Sequence, residues 1–483
     1  MPLDDPTCYR AMESRDARFD GRFFAAVRTT GIYCRPICPA RKPLRRNVAF
    51  FPSAAAAERA GFRPCLRCRP DAAPGSADWL GRSALLARAV RLIHAGALNE
   101  GSVDALAARL GVSARHLGRL FRAELGASPV AFAQTLRAHF ARRLIDETDL
   151  PLTEIAFDAG FGSVRRFNTA MKERFGRPPR ELRRRAPGGA AGGGDAPLAL
   201  RLPYRPPFHW EHLLAFLAAR AIPGVEHVAA GRYVRSVAWE GRRGWIEVRP
   251  SAETHSLTLC TSLPPTRGLP GLVERVRGLF DLRADPLAIG RDLGRDPTLR
   301  GALERGAGVR VPGAFDGFEL AVRAILGQQV SVKGARTLLG RLVARCGRPV
   351  EDARPGTERA FPTAEELEAA DLTGLGLPEQ RARAVTALAA TVRAGELDLS
   401  PAADRAETRR RLMDLPGIGA WTADYVAMRA LRDPDAFPAG DLVLRAAVSG
   451  NGERLAPRQL LERAEAWRPW RAYAAVLLWK EAS

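Results

Sequence analysis

Between Val103 and Leu125 the apolar residues Leu106, Leu110, Leu117, Leu120 and Phe121 recur at helical spacing, broken only by Gly111-Val112-Ser113. Glycine permits a tight turn there, and Ser113 is placed to cap a following helix. The pattern predicts helix, short turn, helix. It returns further on: Leu152 to Ala156 opens one helix, Gly160-Phe161-Gly162-Ser163 turns, Val164–Phe175 forms the next, and Gly176-Arg177-Pro178-Pro179 stops it. Beyond residue 198 the period changes. Tyr233–Trp239, Gly244–Val248 and Ser256–Thr261 are short, β-branched or aromatic, and separated by turn residues. They predict a small sheet with a helix or two to about residue 283, followed by helices almost to the end.

Two stretches interrupt these patterns. Ala186–Pro197, APGGAAGGGDAP, is too rich in glycine and alanine to bury a core and is expected to be a flexible tether. Asp71–Asp78 is a weaker break. A chain of 483 residues exceeds one core, so three or four domains are expected.

Charge narrows the partners. Lys and Arg number 74 against 53 Asp and Glu, a formal charge of +21, which favours a polyanion. The abundance of Ala, Gly, Arg and Pro, typical of a high-GC genome, accounts for part of that excess. Its placement says more: the second helix of each pair carries Arg115, His116 and Arg119, then Arg165, Arg166 and Asn168, residue types that reach phosphates and base edges. The N-terminus has no apolar signal segment, and runs such as Ala474–Trp479 are too short for a bilayer, so a cytoplasmic protein without a membrane partner is expected.

Four of the seven cysteines, Cys34, Cys38, Cys65 and Cys68, follow C-x3-C and C-x2-C spacing. Two short loops each offering two thiolates suit one tetrahedral Zn²⁺. Arg35, Arg41, Arg45, Arg46, Arg63, Arg67 and Arg69 surround them, so the metal knot faces something anionic. On spacing alone a purely structural zinc clip remains open.

Resemblances extend these readings. "AFDAGFGSVRRFNTAMKERFGRPPRELR", within about residues 84 to 184, resembles the AraC-type DNA-binding domain. "FFAAVRTTGIYCRPICPAR" and "NVAFFPSAAAAERAGFRPCLRCRPD" resemble the N-terminal domain of Ada-type adaptive-response proteins, from about residue 8 to 71. That resemblance implies that Cys34 accepts a methyl group from a methylated DNA phosphate, while Thr29, Thr30, Arg41 and Arg67 are expected near the phosphate. Four thiolates on Zn²⁺ carry a charge of −2, and methylation leaves −1, so the site repels the DNA backbone less afterwards. Promoter DNA and RNA polymerase are the implied partners. The Pro-Cys-His-Arg stretch of the companion O6-methylguanine module is missing from the sequence.

In the back half, Leu415-Pro416-Gly417-Ile418-Gly419 between apolar-periodic helices predicts a helix-hairpin-helix, its glycines letting backbone N–H groups approach a DNA phosphate. A plain helix connector has the same look. "FEL-AVRAILGQQVSV", "LMDLPGIGAWTADYVAMRAL" and "AEAWRPWRAYAAVLLW", with "HWEHLLAFLAARAIPGVEHV", resemble the AlkA-type 3-methyladenine DNA glycosylases over about 198–480. The resemblance implies Asp441 as catalytic carboxylate and Trp421, Tyr425, Trp479 and Gln328 around a base flipped from the duplex. It puts Gln329 where relatives carry an apolar wedge, and Gly440 where they often carry a second aspartate. Trp421 occupies the position of the lysine of strand-cutting relatives. No lysine lies between Lys333 and Lys480, and the iron–sulfur cysteine cluster of some relatives is absent from the sequence, so a monofunctional, hydrolytic enzyme is expected.

The expected architecture is multidomain α+β: a small zinc α/β domain (1–75), an all-α AraC-type double helix-turn-helix (80–185), a linker (186–197), a small α+β sheet domain (198–283) and an all-α helix-hairpin-helix glycosylase domain (284–483). The expected protein is a monomer on double-stranded DNA that senses methylation and excises alkylated bases. A regulator whose back half only binds damaged DNA is the alternative.

Overall fold

The computed structural model describes residues 3–74, 84–183, 197–252, 255–449 and 453–482. The tether at 186–197 lies outside them except for Pro197, and the break at 71–78 is described only as far as Pro74. Four strands, β1 (Phe24–Val27), β2 (Ile32–Cys34), β3 (Val48–Phe51) and β4 (Arg63–Pro64), form a sheet in the order β3-β1-β2-β4, with β2 and β4 parallel. Helix α1 (Ala54–Arg59) is capped by the Ser53 hydroxyl, which accepts from Ala56 N at 3.0 Å, and it buries four consecutive alanines.

Next come α2 (Ala84–His94), α3 (Val103–Arg109), α4 (Ala114–Leu125), α5 (Pro129–Glu147), α6 (Leu152–Asp158) and α7 (Val164–Phe175). Both helix-turn-helix units form as their periodicity predicts. Ser113 and Ser163 accept from His116 N and Arg166 N at 3.2 and 3.3 Å, and Gly126 and Gly176, each at φ +70°, end the second helices. The 19-residue α5 joins the pairs; its apolar pattern is broken by buried Thr135, His139, Arg142 and Arg143.

A buried carboxylate locks the sheet to these helices. Glu58 on α1 accepts from Tyr33 of β2 at 3.0 Å, from Thr135 of α5 at 2.6 Å and from Arg174 of α7 at 3.0 Å, with His139 at 3.3 Å. Burial alone would push this carboxyl up, but His139 and Arg174 outweigh it and hold it below its ordinary value. Glu58→Ala leaves the buried Tyr33, Thr135 and His139 without their acceptor, and should lower the hydrogen-exchange protection of β2 amides by about 1–3 kcal/mol.

In the back half, β5 (Leu198–Pro203), β6 (Glu226–Ala229), β7 (Arg232–Trp239), β8 (Arg242–Pro250) and β9 (Ser256–Thr261) make an antiparallel sheet in the order β5-β9-β8-β7-β6. Three of these strands were expected; β5 and β6 extend the sheet at its two edges. The helices used below are α8 (Trp210–Arg220), α9 (Leu269–Leu279), α10 (Pro286–Leu293), α11 (Gly317–Leu326), α12 (Val332–Cys346), α13 (Arg405–Asp414), α14 (Ala420–Arg429), α15 (Leu442–Ala447) and α16 (Arg471–Glu481). A two-residue ladder, Arg348–Pro349 with Arg359–Ala360, interrupts the otherwise helical run. Among the described residues no helix is long and apolar enough to cross a membrane.

The two halves are not separate bodies on a string. One apolar cluster runs from Ile155, Phe167 and Phe175 of the second helix-turn-helix into Leu200, Leu202, Trp210 and Phe280 around the back sheet. A glycine-rich connection predicts independence; burial of shared apolar surface overrides it.

Candidate functional site

The first site follows from β2 and β4. These parallel neighbours deliver Cys34 at the end of one and Cys65 just after the other, while Cys38 and Cys68 return on the loops that follow. The four sulfur atoms lie within 4.8 Å of one another, and Cys38 Sγ is 4.0 Å from Cys65 Sγ. Four sulfurs on a tetrahedral ion at about 2.3 Å stand roughly 3.8 Å apart, so the quartet fits Zn²⁺. Cys65 and Cys68 are buried, whereas Cys34 and Cys38 are half-exposed. An outer shell is present: Arg35 N donates to Cys68 Sγ at 3.3 Å, and Arg35 Nη1 donates to the Cys68 carbonyl at 3.1 Å.

Cys34 opens into a groove of about 460 Å³. Thr30, Arg41 and Arg67 line it, joined by Arg63 and by Arg177 from the segment after α7; Thr29 is exposed but outside the lining. Arg177 was not anticipated, because its place in the groove comes from the docking of the second helix-turn-helix. Arg115 and Arg119 on α4 and Arg165, Arg166 and Asn168 on α7 are exposed, while His116 is half-buried and within 3.2 Å of Arg119.

The second site is a cavity of about 430 Å³ between the sheet domain and the helices behind it. Trp421 and Tyr425 on α14 stack with centroids 5.2 Å apart at 11°, and Trp479 of α16 lies 6.3 Å from Tyr425. Asp441 sits at their edge as the N-cap of α15. Its Oδ1 accepts from Val443 N, Leu444 N and Trp479 Nε1 at 3.0, 3.1 and 3.1 Å, and its Oδ2 accepts from Trp421 Nε1 at 3.2 Å. One carboxylate thus both caps α15 and lines the cavity.

The far wall of the cavity carries no signal in the sequence. Phe216 and Arg220, one turn apart on α8, line the cavity, as does Arg429 of α14. Arg429 donates to Tyr425 Oη at 2.6 Å and lies 5.0 Å from the Phe216 centroid. Burial raises the Tyr425 hydroxyl, but Arg429 and Arg220 outweigh it and bring it below its ordinary value. A one-turn Phe-Arg pair looks like any amphipathic helix, so spacing carried no signal.

Gln328 is not in the cavity lining. Its amide donates to the Gly417 carbonyl and to Thr422 Oγ1, both at 2.9 Å, tying the loop before α12 to the hairpin. Gln329 is exposed at the apex of that loop with φ +53°. The hairpin joins α13 to α14, with Gly417 at φ +78° and Gly419 starting α14. A Cβ at Gly417 would stand 3.2 Å from that of Ala384, so both the turn and its close packing require glycine.

Residues 7–71 match the family described as Metal binding domain of Ada, 106–185 a Helix-turn-helix domain, 199–316 the AlkA N-terminal domain, and 322–471 the HhH-GPD superfamily base excision DNA repair protein. The chain is 46% identical over 481 residues, 99% of its length and 97% of the relative's, to the probable bifunctional transcriptional activator/DNA repair enzyme AlkA of Mycobacterium tuberculosis. The chain belongs to this family of bifunctional transcriptional activator/DNA repair enzymes. Its two parts have separate relatives in Escherichia coli. DNA-3-methyladenine glycosylase 2 is 36% identical across 58% of the chain and 95% of its own length. The bifunctional transcriptional activator/DNA repair enzyme Ada is 37% identical across 38% of the chain and 49% of its own length. Among solved structures, a 3-methyladenine DNA glycosylase from Archaeoglobus fulgidus is 25% identical, with a TM-score of 0.53 over 58% of the chain and 97% of its own. The family thus joins an Ada-like zinc-binding and helix-turn-helix half to a DNA glycosylase half, and both halves are DNA-binding.

Proposed function

We propose that the glycosylase half hydrolyses the glycosidic bond of alkylated bases such as 3-methyladenine, with Asp441 as the catalytic carboxylate. The observation that carries this reading is the seat of Asp441: four N–H donors fix it at the mouth of an aromatic cavity. Oδ1 takes three of them and Oδ2 one, so Oδ2 is the oxygen turned to the sugar. An alkylated purine leaves as a neutral base with the electrons of its C–N bond, and the positive charge left on the sugar faces the carboxylate. Water then adds to C1′, forming the C–O bond and giving up one proton to solvent. Trp421, Tyr425 and Trp479 hold the flipped base by stacking, the hairpin at Gly417 and Gly419 grips the backbone, and Gln329 enters the emptied stack. Gln328 belongs to the grip rather than to the base pocket. With no lysine between Lys333 and Lys480, and Trp421 in the place of the strand-cutting lysine, the strand is not cut.

The front half, on the same proposal, takes a methyl group from a DNA methylphosphotriester onto Cys34. One bound Zn²⁺, and no iron–sulfur cluster, would hold the four sulfurs as thiolates. Cys34 Sγ attacks the methyl carbon, a C–S bond forms, the C–O bond breaks, and the phosphodiester leaves as an anion. Thr30, Arg41 and Arg67 are placed to meet that phosphate, and Arg115, His116, Arg119, Arg165, Arg166 and Asn168 to meet promoter DNA. The protein then acts as a cytoplasmic monomer with RNA polymerase downstream.

Two assays on the intact chain test the proposal. Incubation with methylphosphotriester DNA should add the mass of one methylene to the Cys34 peptide and to no other. Alkylated duplex should release free 3-methyladenine and keep its strands whole. Failure of the first removes the acceptor reading, and failure of the second leaves the back half as a binding module.

A further inference from the structure

Arg205, just after β5 of the glycosylase half, is completely buried. Its Nε donates to the carbonyl of Asp20 in the zinc domain at 2.9 Å, while its Nη1 donates to the carbonyls of Arg283 and Ala284 at 2.9 and 3.3 Å. One guanidinium thus bridges a turn of the front half and the loop that leads into α10. Burial pulls it down to about 10, with Asp285 and Asp20 acting the other way.

The front end of this bridge does not stop at a surface. The Asp20 carboxylate, 4% exposed, accepts from Arg35 Nε at 2.9 and 3.1 Å. Arg35 in turn makes the two contacts to Cys68 described above. An unbroken polar chain therefore runs Cys68, Arg35, Asp20, Arg205, Arg283. A second crossing, the ion pair of Arg22 Nε with fully buried Asp285 at 3.0 Å, spans the same interface without touching the cysteines. The apolar core shared by the second helix-turn-helix and the back sheet holds the two halves against each other. A buried guanidinium needs its acceptors, so Arg205 and Asp20 satisfy each other only when the halves are docked.

We propose that the zinc knot is completed by the opposite half of the chain: Arg205 is a positioning residue that fixes the Asp20–Arg35 pair and, through it, the Cys68 corner of the thiolate cage. Outer hydrogen bonds orient metal ligands, and their loss typically costs about 10–100-fold in metal affinity. The inference rests on the reading of the quartet as a zinc centre; it needs no methyl transfer.

The test uses the full-length chain in which Co²⁺ replaces Zn²⁺, with zinc release to a chelator measured on the zinc form. In Arg205→Met the cobalt–thiolate and d–d bands should shift, and zinc should be lost about tenfold faster or more. Arg205→Lys keeps a buried cation but only one donor atom in place of three, and should show the same change at smaller amplitude if the Met variant does not fold. Arg22→Met, which breaks the other crossing, should keep the parent spectrum. The inference is overturned if both Arg205 variants keep the parent spectrum and zinc-release rate, or if Arg22→Met alters them equally. A parent chain with no cobalt–thiolate band at all overturns instead the zinc reading beneath it.

Discussion

Asp441→Asn should leave a folded protein that holds damaged DNA and releases about 10²–10³-fold less 3-methyladenine, or less still. Asparagine serves an N-cap as well as aspartate, so the contacts from Val443 N and Leu444 N survive and α15 keeps its start. One indole bond survives as well, from Trp479 to the remaining carbonyl oxygen. What is lost is the negative charge facing the sugar, together with acceptance from Trp421, whose N–H would now meet an NH₂ group. Affinity for an abasic duplex should therefore change little while single-turnover excision collapses. Equal excision by parent and variant would remove Asp441 from the chemistry and favour a back half that only binds.

Cys34→Ala should abolish methyl uptake and also bind promoter DNA more tightly before any damage. Removing one thiolate leaves three protein ligands and an open position, an arrangement zinc tolerates. The knot then carries −1 permanently, the charge the parent reaches only after methylation. One unit of charge at a phosphate is worth about 1 kcal/mol near water-like dielectric, roughly a fivefold change in affinity. That gain should fade as salt rises. Filter binding to the chain's own promoter, with and without prior methylation, measures it. A variant that binds as weakly as the unmethylated parent would sink the electrostatic account, and methyl uptake by the variant would sink the choice of Cys34.

The legible parts of this chain were the local ones. Ser113 and Ser163 cap helices whose apolar faces lie within the same dozen residues, and each cysteine pair spans five residues or fewer. The long α5 was hidden because Arg142 and Arg143 interrupt its apolar face, although both are buried and bonded to main-chain carbonyls of Leu182 and Arg201. Strand β5 was hidden because it pairs with β9, distant in sequence, and ends in proline. In the cavity, the residues on and beside α14 and α15 were legible through the hairpin motif and its family likeness. Phe216 and Arg220 were not, since a separate helix carries them there. Arg205 and Asp20 were invisible for a related reason: isolated charged residues in a sequence belong to the surface by default, and only the docked halves supply their partners.

The core shared by the second helix-turn-helix and the back sheet has a consequence for the stretch that connects them. Its two ends are anchored at Leu182 and Leu198, both packed into or against that core. The distance between those ends is thus set by the side chains that anchor them. Lengthening such a connection twofold costs about 0.6 kcal/mol. Sequence drift and insertions can accumulate there without altering the angle between α4 and α7 and the cavity that Asp441 lines.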